Sequence, residues 1–281
     1  MGKRYQRRVT ELTAEQVADL VKNAERVSKQ DLQGPYTPPF TEYFVGKKLT
    51  VKLDCGKILN YTFSTDHDMT WQENDAEVMN EHYDAMEADD GIYLLHHLRS
   101  GVKPCSSTQL VIDTTTGIVT ACYAKIGQPG YSREVSHVFY SGYIVSDEKE
   151  APLERHHRTQ DLIGKRVQWI YTSDFSCEHF YISDTYYSYL VHDGVFKGFG
   201  ETNPADYFKV NSHIYFFTWI EERAAGVQGF CLMDLAKMHD VGCFFGLNYD
   251  DEFENYMFGA KGIPGPGGVC VGVTSESDVE D

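Results

Sequence analysis

Apolar and polar positions alternate with a period of two through most of the chain, the pattern of strands with one buried face. In the first half the alternation predicts strands at 47–54, 58–65, 68–73, 77–86, 91–98, 108–114, 117–125 and 135–145. Turns such as Asp54-Cys55-Gly56, Asp89-Asp90-Gly91 and Thr115-Thr116-Gly117 separate them, as hairpins require. The second half repeats the order at 165–173, 176–183, 185–192, 195–199, 207–210, 213–221, 228–234, 239–247 and 253–259. Residues 13–29 break the pattern. There Val17, Leu20, Val21, Ala24 and Val27 recur at helical spacing behind a capping Thr13, with Glu15 and Gln16 in the first turn. This predicts an N-terminal helix that lies across a barrel end or serves a homodimer contact.

The halves are copies. Gly46-Lys47-Lys48 opens the first and Gly164-Lys165-Arg166 the second, 118 residues apart. Ile92-Tyr93-Leu94-Leu95 and Ile214-Tyr215-Phe216-Phe217 follow at a spacing of 122. So long a period with so little drift is an internal duplication. About eight short antiparallel strands per copy close into a small barrel, which removes exposed edges and leaves one interior. The expected architecture is all-β: two tandem lipocalin-like antiparallel barrels with an N-terminal helix. The expected divisions are helix and connector at 1–40, a first barrel at 41–150, a second at 151–262 and a disordered acidic tail at 263–281.

The 281 residues carry a formal charge of −17, which repels phosphate backbones and excludes nucleic acid as a partner. There is neither a long apolar run nor a charged-then-apolar leader, so no membrane partner is expected. The seven cysteines are dispersed without a C-x-x-C, which fits reduced thiols in a cytoplasm. Cys122 and Cys243 occupy equivalent strands and read as packing residues. Aromatic residues make up 14% of the chain, suited both to packed sheets and to a flat organic ligand.

No general catalytic motif is present. His67, His82, His96 and His97 form a histidine-rich patch, but His96 and His97 point to opposite faces of one strand. No metal is assigned. In 213–221, His213, Tyr215, Phe217, Trp219 and Glu221 share one face. If that face is the barrel interior, burial raises the Glu221 pKa and makes it a proton shuttle near neutral pH. If it is external, Glu221 is a solvated charge.

The run Ile214-Tyr215-Phe216-Phe217-Thr218-Trp219-Ile220-Glu221, with Phe230-Cys231-Leu232-Met233-Asp234 beyond it, resembles the bacterial phenolic acid decarboxylases. So do Trp169-Ile170-Tyr171-Thr172 and the stretch from Tyr189 to Gly198. Asp234-Leu235, Met238 and Gly242-Cys243-Phe244-Phe245-Gly246 resemble the C-terminal half of MoaF-type proteins, whose duplicated layout matches the chain over roughly 42–260. The decarboxylase resemblance implies a cofactor-independent site in a lipocalin-like barrel, with Glu221 as catalytic carboxyl and Tyr171 as a catalytic, substrate-binding tyrosine. That family's second tyrosine falls on Ser173 and its arginine on Phe199. The substitution argues against simple cinnamate decarboxylation, because an arginine fork is how a protein grips a carboxylate. Lys197, Arg223 or Arg99 are the available substitutes. In the first half Leu53 stands for Tyr171 and Arg99 for Glu221, so that half reads as degenerate, either structural or supplying a wall of the second site through Arg99 or His97.

The expected function is a lyase for a small p-hydroxyphenyl substrate. It works through a quinone-methide-like intermediate by decarboxylation, deformylation or dehydration, and no cofactor is expected. Tyr215, Trp219, Phe217, Tyr189, Ser173, Phe199, Lys197 and His213 are its expected substrate-binding residues. A non-catalytic binder of a small aromatic or pterin-like ligand is the alternative, and a structural or regulatory subunit with filled barrels is a third reading.

Overall fold

The computed structural model describes residues 13–23, 34–128, 131–147, 150–194, 196–221, 226–248 and 250–265. A short helix, α1 (Ala14–Asn23), precedes eight strands: β1 (Lys48–Leu53), β2 (Ile58–Phe63), β3 (Asp68–Glu73), β4 (Met79–Asp89), β5 (Ile92–Leu98), β6 (Cys105–Asp113), β7 (Ile118–Gln128) and β8 (Tyr131–Ile144). Each pairs antiparallel with the next, and β8 returns to β1 to close a barrel. A two-residue strand, β9 (His157–Arg158), leads to the second set: β10 (Arg166–Thr172), β11 (Phe175–Tyr181), β12 (Tyr186–Val191), β13 (Gly200–Lys209), β14 (Ile214–Ile220), β15 (Val227–Asp234), β16 (His239–Leu247) and β17 (Phe253–Pro264). These also pair in chain order, and β17 returns to β10. Two closed eight-stranded antiparallel barrels result.

The duplication is visible in single hydrogen bonds. Gly46 N–H donates to the Phe63 carbonyl at 3.0 Å, and Gly164 N–H donates to the Tyr181 carbonyl at 2.8 Å. Positive φ at both glycines (74° and 83°) lets the chain turn into the first strand of each copy. Three expectations change. The second barrel does not stop at 262: Gly262 to Pro264 pair with Trp169 to Val167, because β10 would otherwise keep an open edge. Residues 196–198 form a turn rather than a strand. The two strands expected at 195–199 and 207–210 are replaced by one, β13, which runs through Pro204. It pairs with β12 as far as Pro204 and with β14 from Ala205, so the residue without an N–H stands where the strand changes partners.

The barrels lie side by side. The outward faces of β4 to β7 meet those of β13 to β17 in one apolar cluster that includes Met86, Leu94, Val111, Phe216, Phe230 and Val241. Cys122 and Cys243 pack within it. β5 and β14 are therefore covered on both faces, from inside by their own barrel and from outside by the other. Polar contacts edge this seam. His96 Nε2 donates to Asn255 Oδ1 (2.7 Å), His213 Nε2 to Asp89 Oδ2 (3.0 Å) and His137 Nε2 to Asp206 Oδ2 (2.8 Å).

Thr13 and Gln16 cap α1 reciprocally, the Gln16 N–H donating to Thr13 Oγ1 and the Thr13 N–H to Gln16 Oε1. Val17 packs against Leu98, Ala124 and Ile126 of one barrel and Phe245 and Leu247 of the other, so the helix seals one end of the seam within its own chain. The expected helical residues beyond 23 and the expected tail beyond 265 lie outside the described residues.

Phe216 tests the seam. It is wholly buried and stacked between Phe208 (4.5 Å) and Phe230 (5.3 Å). Phe216→Ala is expected to cost about 3–5 kcal/mol in urea unfolding. The exposed Ile58→Ala is expected to stay within about 0.5 kcal/mol.

Candidate functional site

The interiors of the two barrels differ. In the first, Tyr61, Phe63, Tyr83, Tyr93 and Trp71 fill the core. Arg99, at the position matching Glu221, turns inward to Glu73 (2.8 Å) and lies over the Tyr123 ring at 4.1 Å. Glu73 also takes Lys57 at 3.1 Å and the Tyr123 hydroxyl at 3.0 Å. This closed ion-pair network plugs that end. Burial drives the His97 pKa down to about 3, leaving a neutral ring whose Nδ1 donates to the Leu98 carbonyl. Neither Arg99 nor His97 reaches the second barrel's cavity.

The second barrel holds two connected chambers. The inner one, about 300 Å³, is walled by Tyr171, Tyr187, Tyr189, Trp219, Phe244 and Phe258, with Cys177, His179 and Glu221 among its polar groups. The outer one, about 460 Å³, shares Tyr189, Glu221, Phe244 and Tyr256 and adds Phe199, Asn248, Asp250, Glu252 and Glu254. Glu221 thus faces both. Trp219 owes its place to its cross-strand partner Gly229, where a Cβ would come within 2.1 Å of the indole. Tyr171 sits at a bulge in the β10–β11 pairing, and Gly34 of the connector packs against its carbonyl, leaving no room there for a Cβ.

Burial sets the electrostatics. It raises the Glu221 pKa to about 7, with Glu201 and Glu254 pushing the same way and the Trp219 indole opposing them. Tyr171 is held protonated, well above the ordinary tyrosine value, by burial first and then by Cys177 and Asp240. Cys177 is pushed up to about 12 and His179 down to about 3. The Cys177 Sγ and His179 Nε2, 3.3 Å apart, are therefore a neutral thiol and a neutral imidazole rather than a thiolate nucleophile. His179 Nδ1 is buried without a hydrogen-bond partner.

Of the expected residues, Glu221, Tyr171, Trp219 and Tyr189 meet around the inner chamber and Phe199 lines the outer one. The others lie elsewhere. Phe217 is inside the barrel but beneath the cavity, stacked on Trp219 at 4.8 Å. Tyr215 is at the far end of the strand, its hydroxyl donating to Asp161 at 3.0 Å. His213 has left the barrel interior for the seam, held by Asp89. Ser173 and Lys197 occupy exposed turns, too far along the chain from an inward-facing strand position. Arg223 lies outside the described residues. Cys177, His179, Tyr187, Phe244, Tyr256 and Glu254 were not anticipated. Period-two spacing through β11 and the one-residue offset of Phe244 from the seam residue Cys243 carry the signal for three of them, Cys177, His179 and Phe244.

Two groups of side chains converge closely enough to share an ion. His67 Nδ1 and His82 Nε2 lie 2.9 and 3.2 Å from Asp84 Oδ1, and Asp89, His213 and Asp234 form the second group. Both stand outside the cavity, and Lys237 already pairs with Asp89.

These features define a class: a tandem antiparallel barrel protein whose first barrel is plugged and whose second is hollow. The comparisons with known proteins are specific about the family. Residues 34–128 match the MoaF N-terminal domain and residues 156–264 the MoaF C-terminal domain, so the chain belongs to the MoaF family. A MoaF protein of Klebsiella aerogenes is 30% identical over 137 residues, which are 47% of this chain and 51% of that protein. The chain thus spans about half the length of the curated relative it matches. A crystal structure from Burkholderia vietnamiensis, described as a candidate beta-lactamase, superposes with a TM-score of 0.33 at 16% identity, over 39% of this chain and 99% of that one. Among the described residues no helix is long and apolar enough to cross a membrane.

Asp240, wholly buried in the second barrel, gives a test of this interior. Its pKa is raised to about 8 by burial, against the lowering effect of the Ala260 backbone and the Cys231 thiol. Between about pH 4 and 8 the native state keeps a proton that the unfolded chain has released, so stability falls as pH rises through that window. His97, His156 and His179, all lowered by burial, act oppositely below pH 6.5. Between pH 6.5 and 8, wild-type stability is expected to fall by up to about 1.4 kcal/mol per pH unit for this group. Asp240→Asn is expected to show a shallower decline in urea titrations.

Proposed function

We propose that the second barrel binds a small flat aromatic molecule and acts on it as a cofactor-independent lyase, with Glu221 as the proton-transfer group. One observation carries this reading: a half-buried carboxyl, titrating near neutral pH, set in an aromatic chamber whose duplicate is closed by Arg99 and Glu73. A group with a pKa near the working pH is ionised often enough to accept a proton and basic enough to hold it. Ionised Glu221 takes a proton from the bound molecule, the ring relays the electron pair, and the bond to a side-chain leaving group breaks. For a p-hydroxyphenyl ligand the product of this step is a quinone methide: the phenol oxygen supplies the electron pair, the ring relays it, and a benzylic hydroxyl departs with it as water, taking the proton back from Glu221.

Tyr171 has the role that the decarboxylase resemblance assigns it, that of a hydrogen-bond donor to the ligand. Its hydroxyl stays protonated across the physiological range, which suits it to donate rather than to take a proton. The six described cysteines are all free thiols, which fits work in a reducing compartment.

The test is turnover of p-hydroxyphenyl compounds with neutral or charged side chains, followed by mass spectrometry. Glu221→Gln is expected to lower kcat by about 10²–10⁴-fold while the dissociation constant of an uncharged compound changes little. In the wild type, kcat/KM is expected to rise with pH and level off above about 7, because the ionised carboxyl is the reactive form. A molecule that binds but is unchanged by the wild type would make this cavity that of a non-catalytic binder.

A further inference from the structure

The two chambers differ in chemistry in a way that bears on ligand charge. Four carboxylates line them, Glu221, Asp250, Glu252 and Glu254, and Glu201 is close enough to raise the Glu221 pKa. Among the described residues no lysine or arginine lines either chamber. At the mouth, the Asn248 amide donates to Glu254 Oε1 at 2.6 Å and to Glu252 Oε2 at 3.2 Å, so a neutral group draws two carboxylates together. Behind the acids, Tyr187, Tyr189, Trp219 and Tyr256 line the path inward, and aromatic rings attract cations as carboxylates do. The one imidazole of the inner wall, His179, is neutral, and its buried Nδ1 is unpartnered.

We propose that this cavity selects organic cations: its ligand carries a protonated amine or quaternary ammonium beside an aromatic ring. The ring packs among Tyr187, Trp219 and Phe244, and the cation lies among Glu221, Glu252, Glu254 and Asp250. This deepens the reading of the second barrel as an aromatic-ligand site and rests on it. A carboxylate ligand would place a further negative charge among four others, with no guanidinium among the described lining residues to receive it. A cation relieves their mutual repulsion and is held by aromatic faces as well as by charge. Selection against anions follows from the same groups that attract the cation.

Three ligands that share a ring and differ in charge test this: 2-phenylethylammonium, 2-phenylethanol and 3-phenylpropanoate, titrated calorimetrically into the full-length protein at pH 7.5. The cation is expected to bind at least about tenfold tighter than the alcohol, with the propanoate weakest. Raising salt from 20 to 500 mM is expected to weaken the cation and leave the alcohol unchanged. The double variant E252Q/E254Q is expected to lose about tenfold in cation affinity while keeping its alcohol affinity, which also reports an intact fold. Equal affinity for cation and alcohol, tighter binding of the propanoate, or a salt-independent cation would overturn the proposal and leave the aromatic site standing. No binding by any of the three would overturn both.

Discussion

The packing of one barrel against the other is the constraint on which the rest of the structure depends. A closed barrel normally turns its outer face to water, and alternation of polar and apolar residues is enough to specify it. Here the outer faces of β4–β7 and β13–β17 are apolar and bury each other, so β5 and β14 are covered on both sides. That arrangement decides which way every side chain on β14 points. Ile214, Phe216 and Thr218 go to the seam, and Tyr215, Phe217 and Trp219 therefore go inward, with Glu221 continuing their face to the cavity. A one-residue slip would exchange the two sets and place the carboxyl in an apolar interface. The seam thus fixes the register that makes a site.

Duplication supplied two interiors, and substitutions at matching positions gave them opposite characters. Leu53, Leu59, Tyr61 and Trp71 of the first barrel stand where the second has Tyr171, Cys177, His179 and Tyr189. Arg99 meets Glu73 and Tyr123, and this compensated network blocks the space that Glu221 leaves open in the other copy. An internal ion pair with a cation–π contact is stable as a plug because each charge has a partner. Glu221 instead is held at a raised pKa by burial first, with like-charged neighbours in Glu201 and Glu254 adding to it. A paired cation in one copy and a carboxyl facing a cavity in the other are two outcomes of a single strand position.

Charge within the cavity links its two properties. Burial is the largest cause of the raised Glu221 pKa, and Glu254, which adds to it, also lines the outer chamber. A carboxyl destabilised by neighbouring carboxylates is sensitive to any cation placed among them. His179 and Cys177 are neutral, so Glu221 is the ionisable group of the inner wall that carries charge near neutral pH.

The sequence by itself determined the strand content, the duplication and the two-barrel architecture, because turn chemistry and period-two patterning are local and each copy repeats them. It also picked out Glu221, Tyr171, Trp219 and Tyr189, which come together around one chamber. It placed Tyr215, Phe217 and His213 with them because they share a strand face, but a strand traverses the depth of a barrel. His213 ends at the seam, Tyr215 at the far end, and Phe217 beneath the cavity floor. Ser173 and Lys197, placed by resemblance alone, lie on turns. Only the tertiary structure decided that the wall facing Glu221 is built by β11, β16 and β17, through Cys177, His179, Phe244 and Tyr256, since these are joined by barrel closure and not by neighbourhood in sequence. It alone decided, too, that one interior is plugged and the other hollow. That depends on where side chains from several strands meet, and no single strand's pattern contains it.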